Sequence, residues 1–224
     1  MTRALLKGVS TSVISLMAFL TLVGGLLHTP AGRPLLARLG VGCPVKASPE
    51  DIEAARRSSV HSQRGSATAA SRPALGFALD HMTVSDVKAW AEQKRVSCQD
   101  IRAGLVRCTD VPVLAMGGSG PVMDRLDLGF SLASGRLVNI SAWRTGLTGS
   151  AAAQQMEAVA VGLRGQLGRP TRAAGSRSAE YLAAGPLHTA IVEYRFKDYI
   201  ADVSATNIPG RGLSLREHYM SARD

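Results

Sequence analysis

The sequence predicts an α+β protein. Two successive units, each a helix followed by antiparallel hairpins, put their helices on one face of an antiparallel sheet, and an N-terminal transmembrane helix precedes them. Three observations carry that prediction. A capped amphipathic helix followed by alternating segments begins at Thr83 and begins again at Thr148, about 65 residues later. Two of the three cysteines flank a glycine in "VSCQDIRAGLVRC", Val96 to Cys108. No Asp, Glu, Lys or Arg falls between Lys7 and Arg33.

Within that uncharged stretch, Val9 to Leu27 ("VSTSVISLMAFLTLVGGLL") has about the length of a bilayer-spanning helix. Arg3 and Lys7 precede it, which favours a cytoplasmic N-terminus and an exported remainder. Residues 1–32 thus read as an anchor with a short basic cytoplasmic end, in contact with the bilayer through residues 9–27. The expected location is the inner (cytoplasmic) membrane, single-pass, with the C-terminal domain in the periplasm or outside the cell. The alternative is secretion after cleavage of a signal peptide, although "LLHTPAGR" offers no clean small-x-small site because Pro30 intrudes. A lipoprotein needs a cysteine directly after the apolar run, and Cys43 lies sixteen residues beyond it. As the odd cysteine, Cys43 is free, pairs between chains or reshuffles.

Residues 33–74 read as a linker with one short helix. Ser48-Pro49-Glu50-Asp51 starts that helix with a cap, a proline at the first helical position and acids at the positive end of the helix dipole. "SSVHSQRGSATAASRP" after it is small, polar and aperiodic, and reads as flexible.

The first unit, residues 75–147, opens on Thr83-Val84-Ser85-Asp86, a capping box. Val84, Val87 and Trp90 or Ala91 then share one helical face as far as Lys94. The cysteine hairpin comes next. With Arg102-Ala103-Gly104 as a three-residue loop, Gly104 takes the left-handed position, Ile101 pairs with Leu105, and counting outward sets Cys98 opposite Cys108. A non-hydrogen-bonded pair places the Cα atoms about 4.5 Å apart, within a disulfide's reach. The other possibility is two buried thiols. Zinc motifs place ligands two to four residues apart, and a redox pair reads Cys-x-x-Cys; neither pattern is present. A persistent bridge implies an oxidising compartment. "MDRLDLGFSLASGRLVNISAWR" then alternates, with Leu126, Leu128, Phe130 and Leu132 on one face, a turn at "ASGR", and Val138, Ile140 and Ala142 returning.

The second unit, residues 148–224, repeats the plan. Thr148 or Ser150 caps a helix whose Met156, Val159, Leu163 and Leu167 share a face, and "LGRP" stops it. Weak strand signals run from Thr171 to Leu182. "TAIVEYRFKDYIADVSATN" makes two strands about Lys197-Asp198, and "GLSLREHY" makes the last.

This order, a helix and four antiparallel strands given twice over Phe77 to Tyr219, resembles at the level of topology the β-lactamase-inhibitor-protein-like superfamily. The small outer-membrane assembly lipoproteins are its single-unit version. The chain lacks the lipoproteins' lipid-bearing cysteine, and no functional residue is carried over. The resemblance implies an exported, non-enzymatic domain that binds other proteins with its sheet and loops.

The formal charge of +9 is unevenly spread. Through Leu75 there are nine Lys/Arg against three Asp/Glu; from Gly76 onward, 17 against 14. With aromatics at only 4%, a folded basic face with stacking platforms for nucleic acid is not expected.

Candidate chemistry is sparse. His28 and His61 lie at the membrane edge and in the linker; His81 precedes a helix and orients a turn or acts as a base. His188 and His218 sit on expected strands without an Asp or Ser at recognisable spacing. No Gly-x-Ser-x-Gly or His-Glu-x-x-His occurs. "MGGSGP", with Gly117, Gly118 and Ser119, is a glycine-rich loop without the strand and helix of a phosphate cradle, and reads as a contact loop. The late carboxylates Glu193, Asp198, Asp202 and Glu217 are expected to pair across strands with Arg195, Lys197 or Arg216. Trp90 falls on a core stripe. Trp143 is out of phase with Val138 and Ile140, which makes it the better interface candidate. No catalytic residue, metal ligand or cofactor is assigned. The expectation is a membrane-anchored, extracytoplasmic protein-binding domain, in envelope assembly or regulation. The alternatives are an envelope hydrolase using the late carboxylates and an apolar ligand or lipid carrier.

Overall fold

A computed structural model of the chain describes residues 48–116 and 122–223. The anchor at 9–27, Cys43 and the loop residues Gly117, Gly118 and Ser119 lie outside the described residues. No helix among the described residues is long and apolar enough to cross a membrane.

Helix α1 (Pro49–Gln63) starts as expected, with Ser48 and Asp51 capping each other's backbone N–H groups at 3.1 Å. Helix α2 (Val84–Lys94) has its full capping box. Asp86 N–H donates to the Thr83 hydroxyl, and Thr83 N–H donates to the Asp86 carboxylate at 2.7 Å. Strands β1 (Ser97–Arg102), β2 (Leu105–Val111), β3 (Met123–Phe130) and β4 (Leu137–Leu147) complete the first unit. The second unit begins with α3 (Gly149–Leu167), capped by Thr148, and continues through β5 (Arg172–Ala174), α4 (Ala179–Ala183), β6 (Thr189–Arg195), β7 (Tyr199–Ile208) and β8 (Gly212–Ser221).

All eight strands form one antiparallel sheet in the order β1-β2-β3-β4-β8-β7-β6-β5. Each unit is a four-stranded meander, and the last strands of the two units pair with each other. This continuity joins the units through backbone hydrogen bonds. One sheet face carries the main core. Val106, Leu126, Leu128, Ile140, Ala142, Val203 and Leu215 meet Val87 and Ala91 of α2 and Met156, Ala160 and Leu163 of α3 there. Burying such apolar surface at about 25 cal/mol per Å² is what ties helices to sheet.

Three expectations need correction. First, the cysteine hairpin turns on two residues, Ala103 and Gly104, so Arg102 and not Ile101 pairs with Leu105. Ile101 is bulged out, and that one extra residue restores the Cys98↔Cys108 pairing. Second, the β3–β4 register shifts at Gly129/Phe130. Leu137 therefore joins the main core with Ile140 and Ala142, while Val138 lines a separate cavity beside α1, and Leu132 lies beyond β3. Third, Thr171 to Leu182 holds only a three-residue strand and then a short helix capped by Ser178. The helices of both units lie on the main-core face, as expected, while the linker helix α1 lies on the other. Val60 of α1 packs with Ile200, Met220 and Ala222 in a cluster apart from the main core, on the opposite side of the sheet.

The stretch read as a flexible linker takes a fixed path, and the compact unit runs from Ile52 onward. Gly65 N–H donates to the Phe196 carbonyl at 3.2 Å, and a Cβ on Gly65 would lie 2.0 Å from the Arg195 carbonyl oxygen, so only glycine crosses there. Ala69 N–H reaches Asp198 Oδ1 at 2.9 Å, and the Ser71 hydroxyl donates to the Gln166 carbonyl of α3 at 3.1 Å. The chain thus straps the β6–β7 turn from one face of the sheet to the other. Backbone contacts replaced the hydrophobic period that local reading depends on.

Candidate functional site

Strand alternation and antiparallel register decide which side chains meet on the face opposite the main core. One register row crosses all eight strands: Gln99, Arg107, Asp127, Ser141, His218, Asp202, Glu193 and Arg172, each directly opposite the next. Every member is polar. The adjacent row reads Thr109, Arg125, Trp143, Arg216 and Ser204. The row on its other side holds Asn139, Met220 and Ile200, and α1 covers it.

The polar row is a ladder of shared ions. Asp127 takes Arg107 at 2.6 Å and Arg125 at 3.2 Å. Asp202 takes Arg216 at 2.9 Å and His218 at 2.9 Å. Glu193 takes Arg195 at 3.3 Å and Arg172 at 3.5 Å. Each carboxylate therefore sits between two cationic or potentially cationic groups, and the face keeps a positive surplus. Asp202 is 7 % exposed. Burial alone pushes its carboxyl up, yet the hydrogen bonds and charges of His218 and Arg216 outweigh that and hold it below the ordinary value.

Trp143 is half-buried between two guanidiniums, Arg125 at 4.8 Å and Arg216 at 5.7 Å from the ring centroid. Such stacking is the ordinary cation–π geometry. Its phase places it on the face away from the main core, as alternation predicts.

Ser141, His218 and Asp202 are neighbours in one row, residue types that a hydrolase would use. The geometry does not build that site. His218 Nε2 meets Asn139 Oδ1 at 2.7 Å and Nδ1 meets Asp202 Oδ2 at 2.9 Å, so both ring nitrogens are taken and Ser141 makes no hydrogen bond to either. Acyl transfer needs the serine on the free ring nitrogen and N–H donors aimed at an oxyanion. The expectation that His218 lacks a partnered acid is corrected: Asp202 is sixteen residues away, across the β7–β8 hairpin. His188 precedes β6, where its ring stacks on Tyr181 at 4.8 Å. His81 is exposed, and its backbone carbonyl accepts from Arg136 at 2.5 Å.

The four late carboxylates do not converge. Glu193 and Asp202 lie in the polar row, Asp198 ties down the strap, and Glu217 points to the main-core face. There Glu217 accepts from Arg144 Nη1 at 2.6 Å and from the Tyr219 hydroxyl at 2.6 Å. Burial, then the Glu217 charge, push the Tyr219 hydroxyl well up, so it stays a donor. Glu217 and Tyr219 line a cavity of about 480 Å³ beside the 72–77 segment, whose lining also includes Arg72, Phe77, Leu163 and Gln166. Trp90 packs edge-on to Phe77 at 4.8 Å, on the core side as its stripe indicated.

The Cys98–Cys108 bridge is present, with Cα atoms 4.0 Å apart. Cys108 is fully buried and anchors the exposed edge strand β1 to β2. Among the described residues no three His, Cys, Asp or Glu converge as a metal site. No protein-family model, curated protein or solved structure matches this chain.

Proposed function

We propose that this chain is a non-enzymatic, membrane-anchored protein-binding domain. It is held at the inner membrane by residues 9–27 and works on the extracytoplasmic side, in envelope assembly or regulation. The observation that carries the reading is the second sheet face. It holds an uninterrupted polar row across eight strands and, beside it, a half-buried tryptophan between two arginines. A tryptophan and arginines at the centre of a patch are the residues that dominate binding energy at interfaces. The disulfide supports an oxidising compartment, and the uncharged N-terminal run preceded by Arg3 and Lys7 supports export of the chain beyond it.

The test is site-specific photo-crosslinking in the intact membrane from Ser141, beside Trp143 on β4, and Thr109, two strands away in the tryptophan row, with Gln166 on α3 as the control position. The expected result is one discrete adduct from the sheet positions, absent from Gln166 and competed by excess soluble domain. Recovery of monomer alone from all three positions refutes the docking role. A reporter fused after Asp224 that is active only in the cytoplasm refutes the topology.

A further inference from the structure

Three N–H donors in the tryptophan row have no acceptor: Nε of Arg125, Nε1 of Trp143 and Nε of Arg216. Arg125 Nε lies 3.2 Å from Asp127 Oδ2 as an ion pair, without the alignment of a hydrogen bond. Buried donors are ordinarily satisfied; these three are closed to solvent, so what a partner meets is the terminal nitrogens of Arg125 and Arg216, whose side chains are 36 % and 33 % exposed. Register makes these three consecutive neighbours, on β3, β4 and β8.

We propose that Arg125, Trp143 and Arg216 form a clamp for the carboxylates of an acidic segment of a partner protein. The proposal rests on the docking role above and names the chemistry of that partner. A guanidinium stacked on an indole spends its π-face and leaves its in-plane N–H edge for a carboxylate. Arg125 makes no hydrogen bond through either terminal nitrogen, and Arg216 commits only Nη2, to Asp202. Their charges are only partly compensated. Asp127 lies closer to Arg107, at 2.6 Å, than to Arg125, and Asp202 is shared with His218.

The span favours a peptide over a lone small anion. β3 and β8 flank β4, so the two arginines leave the backbone about 10 Å apart. That separation suits two carboxylates carried by one chain, with the indole supplying apolar contact between them. The flanking carboxylates Asp127, Asp202 and Glu193 argue against a flat anionic bilayer, which they would repel, and for a discrete acidic segment that reaches between them.

The test uses the full chain in detergent micelles and a fluorescein-labelled hexaglutamate peptide, read by anisotropy. A hexaglutamine peptide, sodium acetate and phosphatidylglycerol vesicles are the comparators. Expected is saturable binding of hexaglutamate at least tenfold tighter than of hexaglutamine, weakened at least tenfold in Arg125→Gln/Arg216→Gln and weakened in Trp143→Ala more than in Trp143→Phe. The glutamine variants remove the charge but keep part of the alkyl stem and a polar amide end, and an intact Cys98–Cys108 bridge with an unchanged near-ultraviolet circular dichroism spectrum certifies their fold. Equal affinity in the double variant overturns the clamp. So does capture by the vesicles without capture of the peptide, which reassigns the patch to lipid, or competition by millimolar acetate equal to that by peptide. If the Ser141 crosslink persists in the double variant, the clamp falls and the docking role stands; if the unmodified chain never crosslinks, the docking role falls.

Discussion

Arg144 and Glu217 offer the sharpest energetic test of the seam between the two units. They lie on β4 and β8, 73 residues apart in sequence, with side chains 8 % and 3 % exposed and an N···O distance of 2.6 Å. At an effective dielectric of 20, two charges about 4 Å apart attract by about 4 kcal/mol. Desolvating them costs several kcal/mol each. The attraction and the penalty nearly cancel in the intact pair, but the penalty stands alone when one partner is removed. Arg144→Met leaves Glu217 with only the Tyr219 hydroxyl and is expected to cost about 3–5 kcal/mol, as is Glu217→Leu, which strands the guanidinium. The Nε of Arg144 has no acceptor even in the native pair, so the double variant Arg144→Met/Glu217→Leu removes an imperfect arrangement. It is expected to lie within about 2 kcal/mol of the parent. The assay is urea unfolding of all four proteins, monitored by circular dichroism and analysed as a double-mutant cycle. Additive single effects, with a coupling energy near zero, refute the reasoning that these groups meet out of water.

Three further perturbations test the same geometry. Replacing both bridged cysteines by alanine opens a loop with a sequence separation of 10, for which the chain-entropy relation gives about 2.7 kcal/mol at 25 °C; an unchanged urea midpoint, or free alkylation of both thiols in the native parent, removes the bridge from the account. Gly104→Ala puts a Cβ 2.7 Å from Leu132 Cδ2 and 2.9 Å from the Phe130 oxygen at φ +72, so it should lose more than about 1 kcal/mol and increase hydrogen exchange in β1 and β2, whereas a neutral effect would mean the turn is elsewhere. Because Asp202 has a depressed folded-state value, its contribution is fully present above the unfolded carboxyl value, which lies near 4, and is lost as pH falls through the lower folded value; Asp202→Asn should flatten the acid limb of stability against pH, and an unaltered limb would show that the ladder is not electrostatically coupled.

Local chemistry determined a great deal by itself. Ser48 with Pro49, Thr83 with Asp86, and Thr148 announce three helix starts because capping is settled within four residues. Gly104, at positive φ, announces the hairpin, and the even spacing of Leu126, Leu128, Ile140 and Ala142 announces one buried face. Counting outward from Gly104 pairs Cys98 with Cys108 even though the turn is one residue shorter than expected, because the bulge at Ile101 compensates. Trp143 is legible as belonging to the opposite face from phase alone.

Only the tertiary structure decided how distant segments meet. The pairing of β4 with β8 makes one sheet of two meanders, brings Arg144 to Glu217, and sets Arg125, Trp143 and Arg216 side by side. Asp202 finds His218 across a hairpin, α1 lands on the second face, and residues 64–74 strap the β6–β7 turn. Periodicity reports the direction of a side chain relative to its own backbone, a matter of torsion angles over a few residues. Which strand lies alongside is set by the burial and hydrogen bonding of the whole sheet at once, and no short stretch of the chain carries that sum.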